Sequence, residues 1–351
     1  MLTRPQRVTQ RKIAELAGVS QATVSLVLNG KADATTRIPE ETRRRVLEVI
    51  RETTYVADPA ARSLAGVGNN IVGVFTYEHA FPNESSDFYT PLLTGVESAA
   101  EQIGVDLLMF TSAPVTDGRR RIFHENNRLR LADGCLLLGR EMDPVELERL
   151  VESDYPFVAI GRRDGADGRI PYVGVDYGTA TAALARLAID QGHKKLFYLH
   201  LPLTAESNRD RTRGLLQELD AVGLSCETMV ADGTDLRAAW SEIRRFAPTV
   251  LFVEDHAHAQ SVYDIAVESG ISIPGDLSLI VFGELTRPNE HVVDYTRLSA
   301  PRPELGSRAV ALLDQLMNGT RGAEELPRQQ LLDCTIVEGA TLAAPRKETA
   351  L

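Results

Sequence analysis

Residues 9–30 read TQRKIAELAGVSQATVSLVLNG, two short apolar-periodic segments on either side of a tight turn at Gly18-Val19-Ser20. Ile13, Leu16 and Ala17 fall at helical spacing before the turn, and Val24, Val27 and Leu28 after it. Gly18 suits a helix C-terminus, because a residue without Cβ enters the left-handed region without strain. Ser20 suits the start of the next helix, where its hydroxyl can accept a free backbone N–H. Ala14 and Ala17 are small enough to let two helices cross closely. The pattern predicts a helix-turn-helix whose second helix, over 21–28, fits a DNA major groove. The competing reading is an ordinary helical hairpin inside an unrelated core.

The charge distribution favours the first reading. Net charge is −11, yet residues 1–66 hold 11 Lys and Arg against 7 Asp and Glu, a surplus of +4 that leaves −15 on the rest. A basic head on an acidic body suits phosphate contacts made by the head alone. With 351 residues the chain has room for two or three folding units. No apolar run approaches membrane-spanning length, and the opening MLTRPQR lacks the apolar core of an export signal, so a cytoplasmic protein is expected. Cys135, Cys226 and Cys334 lie far apart in apolar surroundings and read as small buried hydrophobes.

Working outward, Pro39-Glu40-Glu41 opens a third helix that carries Arg43, Arg44, Arg45 and Arg51 on its polar side. Asp58-Pro59 signals about two turns of helix, too short to stand alone in water. Leu64 projects from that segment either onto the following domain or, as a wedge, between base steps of a minor groove. From residue 70 strand and helix alternate. Strands are predicted over 71–75, 105–111, 134–138, 157–161, 172–175, 196–201, 228–231, 250–253 and 279–282, with helices over 92–104 and 179–192 among those between. That alternation predicts parallel sheets wrapped by helices, in two lobes, with a ligand at the carboxyl ends of the strands between them. The expected organisation is a DNA-binding head over 1–57, a hinge helix and linker over 58–69, a two-lobed ligand-binding and dimerisation domain over 70–343, and a polar tail over 344–351.

These features together resemble the lactose/galactose-repressor (LacI) family of bacterial transcription regulators. The head carries V-T-x-x-x-I-A-x-x-A-G-V-S-x-x-T-V-S-x-V-L-N-G over 8–30, T-R-x-R-V over 42–46, Tyr55 and A-R-S-L-A over 61–65. The body adds Phe88-Tyr89 before Gly95-Val96-Glu97, Ala132-Asp133-Gly134, Val175-Asp176, Gly192-His193-Lys194, Arg211-x-x-Gly214, Pro274-x-Asp276-x-Ser278 and Pro301 before Gly306. The resemblance implies a small all-α helix-turn-helix head plus hinge helix, joined to a two-lobed α/β effector domain of the periplasmic-binding-protein type. It further implies a homodimer on a near-palindromic double-stranded operator, with affinity tuned by a small effector in the cleft, a sugar or sugar derivative, or alternatively a nucleoside or other metabolite.

Carried over residue by residue, the resemblance puts Gln21, Ala22 and Leu26 where the family reads bases. Gln21 can pair with an adenine edge, while Ala22 and Leu26 offer apolar contact, Leu26 standing where many relatives carry Arg. Thr9, Ser20, Thr23, Ser25 and Asn29 are placed for phosphates, with helix capping the competing role for Thr9 and Ser20. Lys12 replaces a usual acidic residue and adds a phosphate contact, Arg62 belongs to the hinge, and Leu64 matches the intercalating leucine. In the cleft, Phe88 and Tyr89 match aromatic ligand neighbours and Arg211 an effector-contacting arginine. Asp255 stands at an Asn-Asp strand end whose Asn is here Glu254, and the family's ligand-binding carboxylate is replaced by Gly283, leaving Glu254 or Glu284 as substitutes.

His256 and His258, with Asp255 beside them, suggest a metal pair but lack a third convincing ligand, and no phosphate loop, nucleophile elbow or paired catalytic carboxylate stands out. No metal, cofactor, catalytic residue or membrane partner is therefore expected. A two-lobed cleft enzyme with an appended head, and a transport solute-binding protein, are the rival readings.

Overall fold

In the computed structural model, which describes residues 8–29, 38–53, 55, 68–78, 89–116, 119–125, 127–231, 235–283, 293–319 and 325–346, the chain divides into two units, Met1–Asn69 and Asn70–Leu351. In the first unit, helix α1 (Gln10–Ala17) starts at Thr9, whose hydroxyl accepts the Lys12 N–H. It stops at Gly18, where φ 64° and ψ 39° are left-handed and the Gly18 N–H reaches back to the carbonyls of Ala14 and Glu15. Helix α2 (Gln21–Asn29) follows at once, with the Ser20 hydroxyl accepting the Thr23 N–H at 3.1 Å. Helix α3 (Glu40–Glu52) has Glu40 and Glu41 in its first turn and Arg51 in its last, each charge opposing the partial charge of its helix end. Ile13, Ala14 and Ala17 of α1, Val24 and Val27 of α2 and Val46 of α3 form the buried core, with Tyr55 half-buried against it.

The second unit is built on two six-stranded sheets. Its elements in chain order begin with β1 (Ile71–Thr76), α4 (Tyr89–Ile103), β2 (Asp106–Phe110) and a short hairpin of β3 (Val115–Thr116) and β4 (Arg119–Arg120). There follow β5 (Gly134–Leu138), α5 (Pro144–Glu152), β6 (Phe157–Ile160), β7 (Tyr172–Val175), α6 (Tyr177–Asp190), β8 (Leu196–His200), α7 (Glu206–Ala221) and β9 (Cys226–Val230). The remainder is α8 (Leu236–Phe246), β10 (Val250–Val253), α9 (His256–Glu268), β11 (Ser278–Val281), β12 (Thr296–Ser299), α10 (Arg302–Asn318), β13 (Gln329–Leu332) and β14 (Thr335–Val337). The first sheet has the order β13-β7-β6-β5-β1-β2 and is parallel throughout. The second has the order β14-β12-β11-β10-β8-β9 and is parallel except where β14 runs against β12.

The central strands of both sheets are buried on both faces, which is why they read as continuous apolar runs rather than alternating ones. The two-residue period still sorts the side chains. Val72, Val74, Leu136 and Leu138 face α4 and α10, and Leu196, Tyr198, Val250 and Phe252 face α6 and α7, all within one continuous apolar cluster. The opposite faces, with Leu137 and Phe157 in the first sheet and Leu199 and Leu251 in the second, are covered by α5 and by α8 with α9. The chain passes between the sheets three times, after β7, after β12 and after β13.

Some expectations need correction. Only Cys135 is fully buried; Cys226 begins an edge strand and Cys334 lies in the β13–β14 passage, so both are partly exposed. Five of the described strands went unpredicted: β3 and β4 are two residues each, β12 alternates buried and half-buried residues, and β13 and β14 lie at sheet edges, partly exposed, so none has the apolar run that marks a central strand. Helix α4 begins at Tyr89, three residues before its predicted start, and β9 begins at Cys226, two residues before its own. The predicted hinge helix, with Arg62 and Leu64, lies outside the described residues, as do Phe88 and Glu284.

Candidate functional site

In the head, α2 presents Gln21 and Ala22 to solvent on its first turn, with Thr23, Ser25 and Leu26 half-buried beside them. The hydroxyls of Ser20 and Thr23 lie 2.9 Å apart, so each has a protein partner as well as a place on the N-terminal turn of α2. Thr9 is exposed while it caps α1, and Lys12 pairs with Glu15 at 3.1 Å, both side chains remaining accessible. Asn29 closes α2, its side chain lying outside the described residues. One basic residue has a structural task the sequence leaves open: Arg45 Nε donates to the carbonyl of Ala17 at 2.9 Å. A guanidinium at the negative end of α1 ties α3 to the turn that sets the angle of α2.

In the second unit a cavity of about 410 Å³ opens at the carboxyl ends of the strands of both sheets. That size lies within the range of small-molecule sites, roughly 300–1,000 Å³. Tyr89, Arg211, Glu254 and Asp255 all line it, gathered from α4, α7 and the end of β10. Its apolar floor includes Leu138, Ile160, Val175, Phe282 and Leu298.

The side chains differ in how far their bonding capacity is already used. Glu254 is buried and accepts from Tyr198 Oη at 3.2 Å, the Leu201 N–H at 2.8 Å and Asn208 Nδ2 at 2.6 Å. Burial, and then the charge of Glu254, push the Tyr198 hydroxyl well above its ordinary pKa, so it remains a donor. Asp255 caps α9 by accepting the N–H groups of Ala257 at 2.9 Å and His258 at 3.1 Å. Tyr89 Oη donates to Glu78 at 3.3 Å. The Arg211 guanidinium lies 3.5 Å from the Tyr177 ring centre and 3.7 Å from Glu254, and its Nε is buried with no acceptor. Burial acts to lower the Arg211 pKa, but Tyr177 and Glu254 outweigh it, so the cation persists.

A second polar layer crosses from one lobe to the other. Arg162, just past β6, grips Asp210 of α7 through Nε at 2.6 Å and Nη2 at 3.0 Å. Arg163 reaches Glu206 at 3.0 Å and the carbonyl of Gly139, and Asp164 pairs with Arg209 at 3.2 Å. Burial lowers the Arg163 pKa against the pull of Glu206, whereas for Arg162 the bonds to Asp210 and Asp164 overcome burial and raise it. None of these residues figured among the sequence candidates. The available signal was position: Gly161-Arg162-Arg163 follows directly on a strand's carboxyl end.

Gly214 explains the Arg-x-x-Gly spacing. A Cβ there would run into the backbone of Gly178 and the Thr181 hydroxyl, so only glycine lets α7 lie this close to α6. Thr181 Oγ1 donates across the same contact to the carbonyl of Arg211 at 3.0 Å, and the packing sets Arg211 over Tyr177.

Comparison with known proteins agrees with this architecture. The family described as bacterial regulatory proteins, lacI family, matches residues 9–58, and a periplasmic binding protein-like domain matches residues 185–342. Catabolite control protein A of Priestia megaterium is 27% identical over 320 residues, covering 89% of this chain and 93% of that one. The HTH-type transcriptional regulator AglR of Rhizobium meliloti (strain 1021) is 27% identical over 351 residues, covering 96% and 95%. Among solved structures, a lac repressor dimer bound to operator and the anti-inducer ONPF superposes with a TM-score of 0.73 at 20% identity, over 97% of this chain and 100% of that one. A complex of the transcriptional regulator CelR with cellobiose gives 0.65 at 22% identity, over 95% and 100%. The chain thus carries a regulatory head of the lacI family over residues 9–58 and a periplasmic binding protein-like domain behind it, and bacterial regulators resemble it almost end to end.

Proposed function

We propose that the chain is a ligand-responsive, sequence-specific regulator of transcription, a repressor that binds a near-palindromic operator as a homodimer in the cytoplasm. The observation that carries this reading is the joining, in one chain, of an exposed first turn on α2 to a cavity walled by both lobes of a clamshell. Gln21, Ala22 and Leu26 read base edges, while Thr9, Lys12, Ser20, Thr23, Ser25 and Asn29 approach phosphates. The domain boundaries follow: a head over 1–57, a hinge over 58–69 that carries Arg62 and Leu64 into the minor groove, a sensor over 70–343 and a tail over 344–351. The effector is sugar-like, held by Tyr89 and Arg211, with Phe88 and Glu284 as further contacts assigned by the family resemblance alone. The complex of CelR with cellobiose supports that class.

The cleft acts through the three passages between lobes. A ligand that binds one lobe angle better than another shifts the population toward it. The operator, favouring one angle through the hinge, is then coupled to the ligand by the same free energy. The ion pairs of Arg162 and Arg163 with Asp210 and Glu206 resist opening and set the balance on which the ligand acts.

A gel shift with palindromes upstream of the protein's own gene and its neighbours, repeated with a panel of sugars, tests the reading. A shift altered by at least one sugar is expected; no shift on any palindrome would sink it. Leu64→Ala should weaken operator binding more than nonspecific binding, and equal loss on both DNAs would remove the wedge.

A further inference from the structure

Helix α10 runs from the cleft to the opposite end of the first sheet. It starts where the chain has just crossed from β12, and its first turn puts Arg302 and Leu305 on the cavity wall. It ends beside the opening of β5, where Leu313 and Met317 cover Gly134. A Cβ on that glycine would lie 2.8 Å from Met317 Sδ and 2.9 Å from Leu313 Cδ1. Gly134 pairs with Val72 of β1, and the carboxylate of Asp133 accepts the Ile71 N–H at 3.3 Å. Ile71 is the first residue of β1, the strand into which the linker leads.

The helix is held at two places along its length. Near the cavity, Gly95 of α4 lies against the carbonyl of Pro303, and Gly306 against the carbonyl of Leu92. Backbone meets backbone there, with no side chain to yield, so the crossing is a fulcrum. By the helical rise, the arm from Gly306 to Met317 is about 17 Å and that back to Arg302 about 6 Å, so a tilt is magnified about threefold at Gly134. At the far end, Gln315 accepts the Leu326 N–H at 2.7 Å and donates to the Leu326 carbonyl at 3.0 Å. That ties α10 to the segment entering β13, from which the third passage between lobes departs. A close-packed interior passes such a displacement on rather than absorbing it.

We propose that α10 is a lever that carries a change of lobe angle from the cavity to the start of β1, and that Gln315 is the positioning residue that holds its far end. This inference rests on the reading of the cleft as the effector site and of the linker as the route to the head. It deepens that reading by naming the element that couples one to the other.

Asp210→Asn weakens the grip of Arg162 across the cleft, and so disturbs the lobe angle without DNA or effector. Hydrogen exchange of the full chain, read at residues 70–76, tests whether the disturbance arrives. Asp210→Asn should speed exchange there at least threefold. In a Gln315→Met background, which keeps the length of the side chain without its polar atoms, that ratio should fall toward one. In an Arg308→Ala background, altered on the accessible side of the same helix, it should persist. Equal ratios in the parent and in Gln315→Met, or a ratio lost in Arg308→Ala, would overturn the lever. Gly134→Ala works from the other end, since coupling is reciprocal. By pushing on Met317 it should change exchange over 160–164 at the cleft, and no change there would overturn the proposal even if Asp210→Asn did not fold. Unchanged exchange over 250–253 confirms a folded second lobe in every variant. On a palindrome that binds, Gln315→Met should also flatten the effect of Asp210→Asn on operator affinity, whereas residues without shared partners ordinarily act independently. Absence of any operator complex would remove the regulator, with the exchange ratios still deciding the lever.

Discussion

The residues assigned to base reading in the head lie within one nine-residue helix, whereas the wall of the cleft is gathered from the ends of β1, β5, β6, β7, β8, β10, β11 and β12. In the head a small apolar core of α1, α2 and α3 holds a polar turn out to solvent, and the side chains there keep mostly local partners, Ser20 with Thr23 and Lys12 with Glu15. In the cleft the polar side chains are buried and hold one another across long stretches of chain. The difference teaches that a surface which meets a large partner needs only a rigid helix, while a pocket for a small one needs charges balanced in place before the ligand arrives.

The largest expected effect separates the two regions outright. Ile13 is fully buried in the head, so Ile13→Ala should cost about 2–5 kcal/mol there. Calorimetry should then show operator binding lost and the body's transition unmoved; a body transition displaced equally would break the comparison. In the body, Gly214→Val overpacks the α6–α7 contact, a change worth about 1–3 kcal/mol. Effector affinity should fall at least tenfold, and unchanged affinity would show that Arg211 is not positioned by this contact. Gln21→Ala should relax preference at one base pair per half-site by about 1–3 kcal/mol in a binding-site selection, with all other positions unchanged.

Smaller effects sharpen the boundary between structural and reading residues in the head. Arg45→Ala removes the hydrogen bond to the Ala17 carbonyl and should lower head stability by about 1 kcal/mol. A variant that keeps its melting temperature yet loses DNA affinity would instead make Arg45 a phosphate contact. Smallest is a pH effect in the second lobe. Burial holds His193 below its ordinary value, outweighing its bond to Ala343, so the unfolded chain takes up the proton first as pH falls. Its contribution is whole above about 6.5 and is lost as pH falls through the folded pKa. His193→Gln should flatten that acid decline in melting temperature, and an identical pH profile would exclude it.

Much of the head was legible because its signals are local. Gly18 at positive φ, Ser20 as a cap and the apolar spacing of Ile13, Val24 and Val27 each follow from neighbours within a turn or two of chain. The central strands were legible too, being buried on both faces. The edge strands β13 and β14 were not, since exposure leaves Gln329–Leu332 half polar. The cleft was legible only in part: Tyr89, Arg211, Glu254 and Asp255 were named and all line it, while the groups that hold Glu254, from Tyr198, Leu201 and Asn208, were not.

From the sequence alone come the helix-turn-helix, the order of strands and helices, and the expectation of two lobes, because periodicity and capping are set by residues a few positions apart. Only the tertiary structure decided which charges meet. Arg162 and Asp210 are 48 positions apart and Tyr198 and Glu254 are 56, and no local rule pairs them. Their partnership comes from two sheets placing strand ends opposite one another, where burial makes every unpaired charge too costly to leave alone.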